Sequence, residues 1–250
     1  MVSKAMQELR EKCSKDYYDP YVQKLHYILL YFTQYLLKTS ITPNQITVFW
    51  LFLQFLAALL MVLGTYWLNV LGIVLYTIAG FLDAIDGQVA RIKKKSSYKG
   101  IFLEWLGVCF GSPIFFICLS IGVALKYNNI LYVALGVISA LALLYSKLAV
   151  INPEDYKPEF REKILSLRNN LSMRNKKKRF AFVYLLTRRS NPFNLLFIGI
   201  ILNFPRETLI LYTVLYVLEF VRRMYTQLRT LHRLDKELAK EERSKQRPTA

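Results

Sequence analysis

Six apolar runs, at about 45–66, 70–90, 100–125, 130–150, 192–204 and 206–222, alternate with short stretches into which the lysines and arginines are gathered. Runs of this kind constrain the chain more than anything else in it. Helices of about 20 apolar residues are needed to cross a bilayer core of about 30 Å. The pattern predicts an all-α, polytopic membrane protein with six transmembrane helices. Before the first run, Tyr27 to Leu37 is apolar but short and rich in aromatic residues, which predicts an interfacial helix lying along the headgroups.

The fifth run decides the crossing number. Its thirteen residues from Pro192 to Phe204 make only about 20 Å of helix. With six crossings and the N-terminus inside, 31 of the 34 bases fall in inner segments, and Lys147 sits at an inner helix end. Only Lys126 and Arg206 then lie outside. Removing the fifth crossing would put the basic tail outside, against the positive-inside rule. Both termini are therefore expected to be cytoplasmic. The expected organisation is an N-terminal cytoplasmic and interfacial segment over 1–41, a six-helix membrane domain over 42–222 with a basic cytoplasmic loop at 151–191, and a charged tail over 223–250. The alternating charges of that tail predict that the sixth helix continues into the cytoplasm. The runs Lys93-Lys94-Lys95 and Lys176-Lys177-Lys178-Arg179 suit anionic membrane lipids and serve equally as topology signals.

Helix starts are marked locally. Thr42-Pro43-Asn44-Gln45 offers a cap hydroxyl, Pro at the first helical position and Gln three residues after the cap. Asn191-Pro192 and Phe204-Pro205 mark two more starts. Trp67-Leu68-Asn69 reads as a tight link between the first two spans, with Trp67 at interface height.

Several chemistries are excluded. Cys13, Cys109 and Cys118 form no CxxC pair and read as small buried hydrophobes. His26 and His232 are the two histidines and both lie outside the apolar runs, which argues against His-based zinc sites and Ser/His triads in the membrane. The segment Met1 to Lys24 has no apolar stretch of signal-peptide type. Basic blocks placed between membrane-length segments also argue against a nucleic-acid partner, which would face one exposed basic groove.

Apart from Glu207 at the outer start of the last run, the carboxylates inside the apolar runs are Asp83, Asp86, Glu104 and, near an inner end, Glu219. A central charge costs about 2.5–3.5 kcal/mol on insertion scales, so such groups mark function by default. Asp83, Asp86, Gly87 and Ala90 occupy helical offsets 0, 3, 4 and 7, which share one face. That face leads to Arg91, about 12 Å along the helix from Asp83. Glu104 opens the next helix, returning from the same inner loop. Grouped carboxylate oxygens suit a hard divalent cation, Mg²⁺ or Mn²⁺, which takes its remaining ligands from phosphates. The small residues would let a planar or bulky ligand approach. A buried salt-bridge cluster with Arg91 or the loop lysines is the bland alternative, disfavoured because two close acids repel and a cation relieves that repulsion better.

The stretch Asp83-Ala-Ile-Asp86-Gly87-Gln-Val-Ala90-Arg91, eight residues, Gly100, three residues, Glu104 resembles the signature of the CDP-alcohol phosphatidyltransferases, DxxDGxxAR followed by GxxxDxxxD. The Thr42-Pro43-Asn44 element resembles the segment that opens that family's first membrane helix. The motif resemblance covers about 42–108, and the six-helix architecture extends it to the whole chain. It implies a transferase of phospholipid biosynthesis that takes a CDP-linked lipid or alcohol, attacks a phosphate of it with an acceptor alcohol and releases CMP. It implies Asp83, Asp86 and Glu104 as catalytic metal ligands for Mg²⁺ or Mn²⁺. Gly87 and Ala90 would make room for the cytidine part, Arg91 would steady a phosphate, and Gly100 would allow close packing at the loop exit. It also implies a homodimer and a site open to the cytoplasm.

Two positions depart from the signature. The third acid is Glu104 and the fourth is Val108, and valine cannot accept a proton from the attacking hydroxyl. Three readings follow. Glu104 serves as both ligand and base, Glu219 enters from the sixth helix, or the chain is a non-catalytic relative that binds CDP-lipid or metal. A small cation transporter is disfavoured, since the carboxylates cluster on one side and the outer halves of the spans carry few polar groups. Arg188 and Arg189 suit either a substrate phosphate or anchoring of the fifth helix by snorkelling.

Overall fold

The computed structural model describes Leu9 and residues 20–95, 97–148 and 194–245, all but a few turn residues helical and none in a strand. The helices are α1 (Pro20–Leu37), α2 (Pro43–Val62), α3 (Tyr66–Lys93), α4 (Tyr98–Leu106), α5 (Ser112–Tyr127), α6 (Leu131–Leu148), α7 (Leu195–Ile201) and α8 (Pro205–Lys245). A π turn, Gly107–Gly111, joins α4 to α5. The all-α expectation holds. Three stretches, Pro43–Val62, Tyr66–Lys93 and Tyr98–Tyr127, are long and apolar enough to cross a membrane, and the apolar part of α6, Leu131–Ser146, is shorter.

Local chemistry sets the boundaries. At α2 the Gln45 N–H is donated to the Thr42 hydroxyl and the Thr42 N–H to the Gln45 side chain at 2.8 Å, with Pro43 in the first turn. This is the expected capping box. The link to α3 differs from expectation. It turns at Gly64, whose φ of +67° favours glycine. Trp67 belongs to the first turn of α3 and is 77% exposed. The first span thus ends sooner and the second starts four residues before position 70. The π turn has a backbone cause. Pro113 has no N–H to return to the carbonyl of Cys109, and Gly107 and Gly111 flank a stretch with little helical preference. Asn194 caps α7, accepting from Phe197 N–H at 2.6 Å. Asn191 and Pro192 lie outside the described residues. α8 starts at Pro205 as expected and runs 41 residues, about 60 Å, so the sixth helix continues through Arg222 into the charged tail without a break.

α1 starts earlier than the expected Tyr27 and docks on α3. Leu29 packs with Ile46, Ile85 and Val89. His26, expected outside the apolar parts, is buried and meets the Gln88 amide, 3.0 Å from Nδ1, while Thr33 donates to the other end of the same amide.

The main core joins α2, α3, α5, α7 and α8 through Ala57, Met61, Ile73, Phe116, Ile200 and Tyr212. Without a hydrophobic drive between helices in lipid, close backbone approach at small residues carries such packing. At Gly122 a Cβ would stand 2.0 Å from the Met61 carbonyl oxygen. Gly122→Ala is therefore expected to force α2 and α5 apart. The cost should fall in the overpacking range of about 1–3 kcal/mol, read as a lower midpoint of thermal unfolding in detergent. Gly87→Ala, whose Cβ would meet only the flexible end of Arg91 at 3.3 Å, is the control that should leave the midpoint in place.

Candidate functional site

The inner half of α3 carries the candidate site. Asp83, Asp86, Gly87, Ala90 and Arg91 follow one another along a continuous helix that ends at Lys93, with Lys94 in the left-handed region at φ 49°. Asp86 is buried at 8% exposure and Asp83 half-buried. A buried carboxylate needs donors, and α2 supplies two. The Thr47 hydroxyl and the Trp50 indole N–H each reach Asp86 Oδ2 at 2.7 Å. Both fall on the same oxygen, so Oδ1 is the one turned to other partners. Charges acting on Asp86 through space are those of Asp83 and Glu104.

Arg91 folds back beside Gly87, its Nη1 3.3 Å from where a Gly87 Cβ would lie. Its Nε is buried and has no hydrogen-bond acceptor among the described residues. An anionic ligand group would satisfy it. Gly100 lies where α4 meets the start of α2: a Cβ there would be 2.6 Å from Asn44 Oδ1. Asn44 Nδ2 also donates to Ser97 Oγ at 3.0 Å, and Ser97 caps α4 by accepting from Gly100 N–H. The inner loop is thereby pinned to the first span at the residues expected to allow close packing.

Glu104 projects from α4 and is exposed. Among the described residues no three His, Cys, Asp or Glu side chains stand close enough to hold a metal ion. Asp83 and Asp86 lie one helical turn apart on α3, while Glu104 comes from α4 and acts on Asp86 through its charge. The pair has the donor chemistry of a divalent-cation site: two carboxylates a turn apart on one face, one of them with an oxygen uncommitted to protein donors, next to a guanidinium with a buried N–H to spare. Those residues fit a cation bound together with phosphate. Glu104 would have to close on it.

Other expected residues divide. Glu219 accepts from Arg222 Nη2 at 2.6 Å and from Arg223 Nε at 2.7 Å, and Arg223 reaches across to the Ser146 carbonyl at 3.2 Å. Glu219 is thus paired with two guanidinium groups of its own helix, and Arg223 carries the contact from α8 to α6. Arg188, Arg189 and the run Lys176 to Arg179 lie outside the described residues. Thr47 and Trp50 were not foreseen. The signal was present: a buried acid at position 86 requires donors, and α2 carries few, namely Asn44, Gln45, Thr47, Trp50 and Gln54. A surface groove of about 640 Å³, lined by Thr42, Asn44, Gln45, Val48, Phe49, Phe52 and Lys99, holds no acid and does not include the pair.

Residues 40–218 match the model of the CDP-alcohol phosphatidyltransferase family. No curated protein matches the chain.

Proposed function

The chain belongs to the CDP-alcohol phosphatidyltransferase family, and from that premise we propose that it transfers a phosphatidyl or related phospho-alcohol group from a CDP-linked donor to an acceptor alcohol, with release of CMP. At the family level this is an integral membrane protein with a transferase role in phospholipid synthesis, and such transferases take a CDP-alcohol and an acceptor alcohol and generally use a divalent metal. For this chain the reading adds six crossings over 42–222, an interfacial segment over 1–41, a tail over 223–250, and termini and site on the cytoplasmic side. A homodimer and Mg²⁺ or Mn²⁺ complete it.

The observation that carries the proposal is the buried Asp86 beside Asp83 on one helix face, with the Arg91 guanidinium folded over Gly87. Asp83 and Asp86, with Glu104 as third ligand, would hold a divalent cation, which supplies neutralisation of the diphosphate. Arg91 orients a phosphate through its Nε–H. Gly87 and Ala90 keep the helix face low where the nucleotide lies, and Gly100 keeps the α4 entry against Asn44. The acceptor oxygen attacks the phosphorus that bears the donor alcohol, the bond to the bridging oxygen breaks, and its electron pair leaves with CMP. The hydroxyl proton passes to the Glu104 carboxylate. Positioning and charge neutralisation carry most of such a transfer, so a displaced base slows the reaction without removing its basis.

A second reading, a relative that binds CDP-lipid or metal without turnover, is favoured by Val108 in place of an acid and by the two donors already on Asp86 Oδ2. One assay separates the two: CMP release by purified protein in lipid nanodiscs with Mn²⁺ or Mg²⁺, CDP-diacylglycerol or CDP-archaeol, and a panel of alcohols. Metal-dependent CMP release is the expected result and the panel names the acceptor. CDP-lipid binding without release supports the second reading. Gly87→Leu should weaken CDP-lipid binding more than about ten-fold, the equivalent of 1.4 kcal/mol, by pushing Arg91 off the face. Unaltered affinity would remove Gly87 from the nucleotide site.

A further inference from the structure

Trp50 is fully buried between the two halves of the signature. At one end its Nε1–H donates to Asp86 Oδ2 at 2.7 Å. At the other, its ring edge lies against Gly107: a Cβ on that glycine would stand 2.1 Å from Cη2 and 2.6 Å from Cζ3. Gly107 opens the π turn, three residues after Glu104 and next to Val108. The indole therefore reaches from the first acid pair on α3 to the backbone of the segment that carries the third acid. Leu51, Leu53 and Ala79 pack around it, with Leu82, Leu103 and Leu106 at its borders.

We propose that Trp50 is a wedge between α3 and the segment that carries Glu104, and that it holds Asp86 Oδ2 so that Asp86 offers a cation Oδ1 alone; tight binding, with both oxygens and with Glu104, requires the indole to leave the carboxylate. The proposal rests on the reading that Asp83 and Asp86 take a divalent cation. It accounts for the absence, among the described residues, of three carboxylates gathered closely enough to hold a metal ion. Gly107 is part of the device: any side chain there would collide with the ring.

The opposite role is physically distinct. A donor on a ligating carboxylate commonly orients it, and losing such a partner costs about 10–100-fold in metal affinity. A wedge gives the reverse sign. Removing the indole N–H leaves Oδ2 with the Thr47 hydroxyl as its one described donor, and removing the ring bulk lets α4 approach.

The test is Mn²⁺ binding followed by electron paramagnetic resonance on the full chain in lipid nanodiscs. Wild type, Trp50→Phe, Trp50→Ala and Asp86→Asn are compared. Trp50→Phe is expected to bind Mn²⁺ about ten-fold more tightly, the worth of about 1.4 kcal/mol, Trp50→Ala at least as tightly, and Asp86→Asn not at all. Trp50→Phe keeps an aromatic ring in the core, so it decides the matter if the alanine variant fails to fold. Trp50, Trp67 and Trp105 are the three tryptophans. A Trp67→Phe, Trp105→Phe protein therefore reports on Trp50 alone, and its emission should move to longer wavelength when Mg²⁺ and CDP-diacylglycerol are added. Weaker or unchanged Mn²⁺ binding in both Trp50 variants, with wild type binding, overturns the wedge and leaves the acid site standing. Unmoved emission in a protein that binds Mn²⁺ overturns it too. Failure of wild type and both Trp50 variants to bind Mn²⁺ overturns the wedge and the acid site together.

Discussion

Asp86→Asn abolishes metal-dependent CMP release while the protein stays inserted and folded. The amide is close in size to the carboxylate and keeps one oxygen to accept from Thr47 and Trp50, both 2.7 Å from Oδ2 in the native chain. The bonds between α2 and α3 therefore survive, and so does the core they border. What disappears is the negative charge and one hard oxygen ligand. Lewis-acid stabilisation by a bound metal is worth several kcal/mol. At 1.36 kcal/mol per factor of ten, losing its anchor lowers the rate by about 10³-fold or more. The change also relieves repulsion with Asp83 and Glu104. The variant is thus expected to unfold no earlier than wild type on heating. Loss of activity with an unchanged unfolding midpoint assigns the carboxylate to chemistry. Unchanged activity removes the metal from Asp86, and joint loss of activity and stability assigns the residue to the α2–α3 joint instead.

Features encoded within a few residues were legible in the chain. The Thr42 box, Pro205 as a helix start and the continuation of the last helix to Lys245 each depend on local spacing and appear as expected. So does the shared face of Asp83, Asp86, Gly87 and Ala90, which only requires that α3 be unbroken. Features that depend on how helices meet were not legible. Gly64 rather than Trp67 turns the chain between α2 and α3, and that choice sets the register which places Thr47 and Trp50 against Asp86. His26 looked peripheral because it precedes every apolar run, yet α1 buries it against Gln88. The gathering of Glu104 with the aspartates was inferred from motif spacing on regular helices. The spacing does not tell that an indole from α2 stands between Asp86 and Gly107, or that a π turn follows Glu104 and takes in position 108. Hydropathy likewise counts apolar residues without knowing where helices end. Among the described residues, seven of the fifth run and 18 of the fourth are helical, and three stretches have crossing length and composition.

Val108→Asp is expected to raise the rate of CMP release by about 10²-fold or more, toward the 10²–10⁴ that a positioned general base supplies. The added charge near the inner part of a span costs up to about 2.5–3.5 kcal/mol on insertion scales, so expression falls and rates must be normalised to folded protein. Val108→Asn carries a similar polar load without a basic oxygen and should give no increase, which separates base chemistry from altered packing. The backbone makes the outcome informative. Position 108 lies inside the π turn that begins at Gly107, four residues beyond Glu104. In a regular helix that spacing puts two side chains on one face, and the backbone here departs from a regular helix. An increase therefore shows that the new carboxylate reaches the acceptor hydroxyl despite the wide turn, and that a missing base limits the native chain. If wild type releases CMP and Val108→Asp adds nothing, Glu104 already takes the proton and the π turn has made the fourth position dispensable. If wild type is silent and Val108→Asp restores release, the native chain is a relative that has kept its metal pair and lost its base. Asp86→Asn combined with Val108→Asp should be inactive in either case, because a base has nothing to act on when the diphosphate is no longer held.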